Sequence, residues 1–277
     1  MLSHRLTPSG ESAIIDAVTG LLILGWAAGL LSGAQAWEER ALFLKEAAVV
    51  DARREDKGVT ETWRVELARE GSSHRASFQS VDVRERMKNL GGGKQEIDFV
   101  DSYRYNIAAS SLSRLVGLQP MVPVSVERHF RGRRGAMTWW VDDVLMDEAE
   151  MDERGAKAPD SKSWSEQIYR MRVFSELIHD TDRNKGNLLI TADWKIWMID
   201  FTRAFRRWAK LRSPESLIRC DARLLQALRG LTRAELDEAL GGILLAPEIE
   251  GVWARRGLLV EHYDTLIGER GASRVLY

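Results

Sequence analysis

The stretch 179–206 constrains the fold more than any other part of the chain, because it places three polar side chains at the edges of two apolar runs. Asp182 and Asn187 lie five residues apart in a polar, glycine-containing segment between the apolar runs FSELI and LLI. Asp200 follows thirteen residues later, at the end of WKIWMI, which has the composition of a strand. Metal-assisted phosphoryl transfer needs one carboxylate to position a hydroxyl, and an amide and a second carboxylate to hold Mg²⁺ on a nucleotide. The stretch therefore predicts a catalytic loop followed by a metal-binding loop.

The composition indicates a globular protein that forms one bilobal domain or two small ones. The chain has 277 residues, of which 44% are hydrophobic and 29% charged, and these values exclude wholesale disorder. Its 40 basic and 41 acidic residues give no bias toward nucleic acid, so we expect no nucleic-acid partner. The single cysteine, Cys220, excludes an intramolecular disulfide and a cysteine-rich zinc site.

The amino-terminal segment indicates export. Residues 17–31 form an apolar run, and Ala34-Gln35-Ala36 has the small-x-small pattern of a signal-peptide cleavage site. The run is shorter than the roughly 20 residues that a membrane-spanning helix needs. We therefore expect residues 1–36 to be a signal peptide, the mature protein to reach the periplasm or the cell exterior, and no stable membrane span to remain after cleavage. A membrane anchor formed by residues 17–31, or a buried helix, is the alternative.

The next part of the chain is rich in strand patterns. Residues 37–48 have helical spacing, whereas 62–69 and 73–81 alternate like the two strands of a hairpin. The polar stretch 82–98 contains three consecutive glycines, Gly91 to Gly93, and predicts a mobile loop.

One helix and a second hairpin complete this half. Residues 101–117 carry an apolar stripe at helical spacing, with Asp101 or Ser102 as the N-cap. Two strand-like runs, MVPVSVERHF and GAMTWWVDDVL, flank the basic turn at 131–135 and predict the hairpin.

Beyond residue 150 the patterns are mainly helical. Residues 164–180 form one long amphipathic pattern that ends just before the polar cluster. Thr232 and Glu235 have the spacing of a capping box, and Pro247 suits the first turn of a terminal helix.

This order of elements is that of the protein-kinase-like fold: strands, one helix, more strands, and a helical half headed by a catalytic loop. We predict an α+β, bilobal protein, with a small β-rich N-lobe over residues 37–145 and a larger, mainly helical C-lobe over 146–277 that carries the catalytic and metal loops.

The segment HDTDRNKGNLLI, followed by WMIDFTRAFR, resembles the catalytic and metal-binding loops of atypical kinases of the phosphatidylinositol 3-/4-kinase-like branch. HipA-type kinases and secretory-pathway kinases share a similar arrangement, and bacterial exported members of this branch resemble the chain more closely. The resemblance implies ATP and Mg²⁺ as cofactors, a nucleotide as partner, and the hydroxyl group of a protein, carbohydrate or small molecule as acceptor.

The resemblance also implies roles for individual residues. Asp182 takes the place of the catalytic aspartate, and Arg183 follows it as in lipid-kinase-like loops, where it stabilises acidic groups of the loop. Asn187 and Asp200 take the two metal-ligand positions. Thr202 stands where a glycine is expected after the Asp-Phe pair.

Further positions are implied as nucleotide contacts. Gly58 and Thr60 stand where a turn covers the phosphates, and Trp140 lies in the hinge beside which adenine stacks. Lys185 is a candidate cation for the phosphates. Other candidates for that charge are Lys57, Lys94 and Arg104.

The chain departs from the family pattern at one pair of positions. Gln79 stands where the nucleotide-binding lysine is expected, and Asn106 stands where its glutamate partner is expected. A Gln–Asn pair can form a hydrogen bond without burying a lone charge, but it removes a cation from the phosphates.

Two functions remain open from the sequence. The Asp182–Asn187–Asp200 set favours an active kinase-like phosphotransferase. Gln79, Asn106 and the export signal favour an exported pseudokinase that acts as a nucleotide-binding or protein-interaction module, because ATP is expected to be scarce outside the cytoplasm. A related reaction on the same fold, such as AMP transfer, is a third possible function. We favour the phosphotransferase.

Other polar residues suit structural roles better than chemical ones. Arg203 and Arg206 are expected to be salt-bridge partners rather than phosphate ligands. His129 and His179 have no second ligand at zinc spacing, so we expect neither to bind a metal.

Overall fold

The computed structural model describes residues 33–55 and 62–277. The segment 1–32, which contains most of the expected signal peptide, lies outside the described residues, and so do Lys57, Gly58 and Thr60. Within the described part, none of the helices combines the length and hydrophobicity that a bilayer crossing requires.

The amino-terminal part is built on strands and two helices. In chain order its elements are α1 (Gly33–Glu46), β1 (Ala48–Arg54), β2 (Thr62–Arg69), β3 (Ser72–Gln79), β4 (Asp82–Gly91), β5 (Lys94–Ser102), α2 (Arg104–Leu115), β6 (Ser125–Phe130) and β7 (Arg133–Trp139).

Five of these strands form an antiparallel sheet in the order β1-β2-β3-β7-β6. Because successive side chains of a strand point to opposite faces, the alternation in β2 buries Val65 and Leu67 on one face. Phe78 of β3 joins them, and Ala41 and Leu44 of α1 pack against this apolar face. The predicted helix at 37–48 and the predicted strands at 62–69 and 73–81 are thus present, with bounds shifted by a few residues.

The prediction of a mobile loop over 82–98 is wrong, because β4 and β5 pair there as an antiparallel hairpin with a register shift between Asn89 and Gly91. Gly91, Gly92 and Gly93 have φ values of 84°, 58° and 78°, so these glycines build the turn between the strands. The polar side chains that suggested a loop include Glu96 and Asp98, which pair with arginines far along the chain. Such partners cannot be read from local sequence.

Helix α2 begins later than predicted. The N-cap position is Tyr103, whose side chain makes no capping bond, but the Ser102 hydroxyl accepts from the backbone amide of Arg104, the first helical residue, at 3.3 Å. Asp101 and Ser102 still belong to β5, and the Ser102 hydroxyl donates to the Asp82 carboxylate at 2.7 Å. The strand therefore runs almost directly into the helix.

The second hairpin is present but shorter than predicted. Only residues 131 and 132 form its turn, since Arg133 already belongs to β7. The chain leaves the sheet after Trp139, and the segment VDDVL does not extend the hairpin.

The carboxy-terminal part contains a small sheet and six helices among the described residues. In chain order its elements are β8 (Val144–Asp147), α3 (Glu148–Glu153), α4 (Ser161–Leu177), β9 (Leu188–Thr191), β10 (Ile196–Met198), α5 (Ala222–Gly230), α6 (Arg233–Leu240), α7 (Ala246–Arg270) and α8 (Ala272–Val275). Strand β9 lies between β8 and β10, and both pairings are antiparallel.

Local signals predicted where two of these helices begin, and a third begins earlier than predicted. The Asp160 carboxylate caps α4 by accepting from the amides of Lys162 and Ser163, so this helix starts three residues before the predicted one. The capping box of Thr232 and Glu235 is present at the start of α6. Pro247 lies in the first turn of α7, as predicted.

Helix α2 belongs to the core of the carboxy-terminal part as well as to the strand-rich part. Its Leu112 shares a buried cluster with Phe174 and Leu177 of α4 and Tyr263 of α7. Asn106, near the start of α2, is therefore held on a helix that is fixed on both sides.

Candidate active site

A cleft of about 570 Å³ lies between the five-stranded sheet and the β9–β10 region. Gln79 and Asn106 line it from the strand-rich part, while Asn187 and Asp200 line it from the carboxy-terminal part. The apolar residues that line the cleft are Pro123, Trp139, Trp140, Val141, Val144, Leu189, Ile199 and Phe201. Its volume and its mainly apolar lining suit a ligand of nucleotide size.

Asp182 lies in the loop that follows α4. Its amide donates to the buried Asp180 carboxylate at 3.0 Å, and its carbonyl accepts from the Asn187 side-chain amide at 3.0 Å. Its own carboxylate is exposed and meets only the Asn184 amide, at 3.3 Å. The backbone of Asp182 is therefore fixed, and its carboxylate is accessible to a hydroxyl.

Arg183 contacts an acidic group of the loop, which is the arrangement that the resemblance implied. Its guanidinium donates to Asp180 at 2.9 and 2.5 Å, and both side chains are buried. A second branch donates to the carbonyls of Asn187 at 2.9 Å and Ile199 at 2.6 Å. These contacts occupy the guanidinium, so Arg183 positions the loop.

Asn187 ends a short 3₁₀ turn, Lys185–Asn187, and lines the cleft. Because its side-chain nitrogen donates to the Asp182 carbonyl, its side-chain oxygen remains as an acceptor. That orientation leaves the oxygen available to a cation.

Asp200 also lines the cleft and has a φ of 53°, in the left-handed region that few residues other than glycine adopt. Burial raises the pKa of its carboxyl above the ordinary 3.8. Hydrogen bonds from Thr202 oppose this shift, and the nearby Asp101 carboxylate adds to it. One carboxylate oxygen accepts from the Thr202 hydroxyl at 3.1 Å.

Gln79 and Asn106 form the hydrogen bond that the sequence suggested. The Asn106 amide nitrogen donates to the Gln79 oxygen at 2.7 Å. The Asn106 oxygen accepts from the backbone amide of Phe201 at 2.8 Å. One amide side chain thus connects β3 to the residue that follows Asp200.

Trp140 lines the cleft at the segment that joins the two parts. The guanidinium groups of Arg64 and Arg75 lie 5.8 and 5.7 Å from the centroid of its ring. Arg75 also donates to Asp142 at 3.0 Å. These contacts fix the indole at the edge of the cleft.

Lys185, a candidate cation for the phosphates, is not among the residues that line the cleft. Its ammonium pairs with Asp152 of α3, and the hydrogen bond to that carboxylate raises the lysine pKa. Arg104, another candidate cation, lies 3.5 Å from the Asp82 carboxylate.

The sequence did not identify the acidic partners of the arginines that follow Asp200. Glu96 of the β4–β5 hairpin pairs with both Arg203 and Arg206, and Asp98 pairs with Arg207. The expectation that Arg203 and Arg206 are salt-bridge partners is therefore confirmed. The hairpin holds the segment that follows Asp200.

The residues present fit a hard divalent cation. Asn187 and Asp200 offer oxygen ligands, which such cations prefer. One oxygen of the Asp101 carboxylate is buried without a hydrogen-bond partner, and the pKa of Asp200 is raised. A bound cation would therefore offset the negative charge of these two carboxylates. Among the described residues, no group of three or more His, Cys, Asp or Glu side chains is placed to hold a metal ion, in this cleft or elsewhere.

The fold and the cleft define a protein of the kinase-like α+β class, with a β-rich amino-terminal part and a helical carboxy-terminal part. The chain is similar to a Fam20 from hydra solved with sugar, at a TM-score of 0.66 and 14% identity over 90% of this chain and 93% of that one. It is also similar to the Golgi casein kinase, at a TM-score of 0.61 and 13% identity over 88% of this chain and 79% of that one. The same kinase with Mn/ADP bound matches equally well.

No family model matches the chain, and no curated protein matches it in sequence. The likeness to the solved structures is one of fold, since their identity to the chain is low. The predicted kinase-like fold is confirmed.

Proposed function

We propose that this chain is an atypical kinase that moves a phosphoryl group from Mg-ATP to a hydroxyl group of a protein, carbohydrate or small molecule. One observation carries the proposal: the Asn187 side chain is tied to the backbone of Asp182, while Asn187 and Asp200 face the same cleft. The hydroxyl-positioning and cation-binding groups of a phosphotransferase thereby form one unit.

In this proposal Asp182 orients the acceptor hydroxyl and takes its proton as the oxygen attacks the terminal phosphorus. The bond from that phosphorus to the leaving ADP oxygen breaks in the same transfer. Asn187 and Asp200 would hold the cation, which would neutralise the phosphates. Trp139 and Trp140 form the apolar edge against which adenine packs.

The molecules bound in similar solved structures support the nucleotide, cation and acceptor proposed here. The Golgi casein kinase was solved with Mn/ADP, which favours a nucleotide and a divalent cation here. The hydra Fam20 was solved with sugar, which favours carbohydrate among the acceptors. We place the chain in the branch that includes secretory-pathway kinases, with lobes over residues 37–145 and 146–277.

The same relatives and the expected signal peptide support export. Sequencing the amino terminus of the protein recovered from cells tests this point. A start just after Ala36 is expected, whereas an intact amino terminus contradicts cleavage.

A pseudokinase is the second candidate, and the neutral Gln79–Asn106 pair is the observation that favours it. Thermal-shift measurements with Mg²⁺ and millimolar ATP test whether the cation and nucleotide bind at all. We expect a stabilising shift in the wild type that Asp200→Ala abolishes and Asp182→Asn retains. If ATP with Mg²⁺ or Mn²⁺ does not raise the melting temperature of the wild type, the catalytic proposal is contradicted.

A further inference from the structure

The charge of the cleft is unusual for a polyphosphate site. Among the residues that the structure describes, the cleft is lined by two carboxylates, those of Glu55 and Asp200, and by no lysine, arginine or histidine. Its remaining polar groups are neutral hydroxyls and amides. Arg64 pairs with Glu55, so an anionic ligand that enters alone meets the Asp200 carboxylate without a compensating cation among the described lining residues.

Gln79 cannot replace the missing cation. Its side-chain oxygen accepts from Asn106 at 2.7 Å, and its nitrogen donates to the Thr62 hydroxyl at 3.3 Å. The amide has one N–H left and carries no net charge. An ammonium at this position would instead attract the phosphates through a full positive charge.

The basic side chains around the cleft are already paired. Arg64 lies 3.1 Å from Glu55, and Arg75 donates to Asp142. Arg183 is buried against Asp180, and Lys185 pairs with Asp152. A ligand would have to break an existing ion pair to recruit any of these four.

We propose that the Gln79–Asn106 pair makes this cleft take a nucleotide only as its divalent-cation complex. The inference rests on the proposed function and deepens it, because within the described part of the chain it assigns to the cation the positive charge that a kinase site usually divides between cation and lysine. Nucleotide and cation then bind with strong mutual dependence, and the dependence is reciprocal.

Calorimetric titration of the purified protein with ADP tests the coupling, first with Mg²⁺ in excess and then with a chelator in its place. We expect ADP to bind at least about 100-fold more weakly in chelator, near the upper end of usual coupling factors. The double variant Gln79→Lys/Asn106→Glu restores the charged pair and is expected to strengthen binding in chelator at least about tenfold. The neutral variant Asn106→Gln gives no such gain.

The outcomes separate this inference from the proposed function. Equal ADP affinity with and without Mg²⁺ overturns the inference and leaves the proposed function intact. The same holds if binding in chelator is strong and Lys57→Ala removes it, since Lys57 would then supply the charge. No ADP binding with Mg²⁺ or Mn²⁺ overturns the proposed function and the inference together. If the double variant does not fold, the wild-type titrations in Mg²⁺ and in chelator still show whether ADP binding depends on the cation.

Discussion

The buried carboxylate of Asp180 receives two hydrogen bonds from the guanidinium of Arg183, at 2.9 and 2.5 Å. Asp180 also holds the amide of Asp182, and Arg183 reaches the carbonyls of Asn187 and Ile199. One buried ion pair thus fixes the backbone at Asp182, at Asn187 and at Ile199, the residue that precedes Asp200.

Removing one member of this pair should destabilise the fold strongly. Asp180→Ala leaves the Arg183 charge buried without its partner, so we expect the free energy of unfolding to fall by about 3–5 kcal/mol. Urea denaturation measures the change, with Asp193→Ala as the matched control, because the Asp193–Lys195 pair is exposed. Equal effects of the two substitutions would contradict the role given to Asp180.

Asp200→Asn should stabilise the ligand-free protein while it abolishes Mg-nucleotide binding. Burial and Asp101 raise the pKa of Asp200, so its ionised form destabilises the folded state at neutral pH. We expect the melting temperature to rise by a few degrees at neutral pH. The gain should shrink as the pH falls through the raised pKa and vanish below the ordinary 3.8, where both states hold the proton. A gain that persists at that low pH argues against this electrostatic origin.

Glu96 should matter more to stability than its exposed neighbour Glu85 on the same hairpin. Glu96→Gln weakens the ion pairs of Arg203 and Arg206, and the Arg206 side chain is only 5% exposed. We expect a loss of about 2–4 kcal/mol, somewhat below the roughly 3–5 kcal/mol found when a partner of a buried charge is removed, because the glutamine oxygen can still accept a hydrogen bond. Glu85 pairs with the half-exposed Lys88, so Glu85→Gln should cost less than about 1 kcal/mol. Urea denaturation gives the loss in the free energy of unfolding for both variants. Similar losses would show that Glu96 does not stabilise the segment that follows Asp200.

Trp140→Ala should weaken nucleotide binding without affecting the metal ligands. Its indole lines the cleft, and loss of a buried aromatic contact is expected to weaken Mg-ADP binding at least about tenfold. Trp208, which is 40% exposed and lies outside this cleft, is the control. Titration calorimetry compares the variants, and unchanged affinity in Trp140→Ala would place the nucleotide elsewhere.

The sequence was sufficient where the signal is local or periodic. The capping box of Thr232 and Glu235 and the alternation of β2 are short-range patterns, and the structure contains both. The spacing of Asp182 and Asn187 similarly places the two residues in one loop, where the Asn187 side chain contacts the Asp182 carbonyl.

The sequence failed where distant residues decide the outcome. The β4–β5 hairpin looks like a polar loop until the arginines that follow Asp200 supply partners for Glu96 and Asp98. Lys185 lies close to Asp182 and Asn187 in sequence, yet its ammonium forms an ion pair with Asp152 of α3. No local pattern contains either pairing.

The rate of ATP turnover tests the central claim most directly. Release of ADP from Mg-ATP should be measured for the wild type and for Asp182→Asn, in the presence of protein and carbohydrate acceptors and at matched nucleotide saturation. We predict turnover in the wild type and a loss of at least about 100-fold in the variant, as expected when a group that accepts the proton is removed. Saturable Mg-ATP binding with no turnover above that of Asp182→Asn would contradict a phosphotransferase and identify a nucleotide-binding pseudokinase.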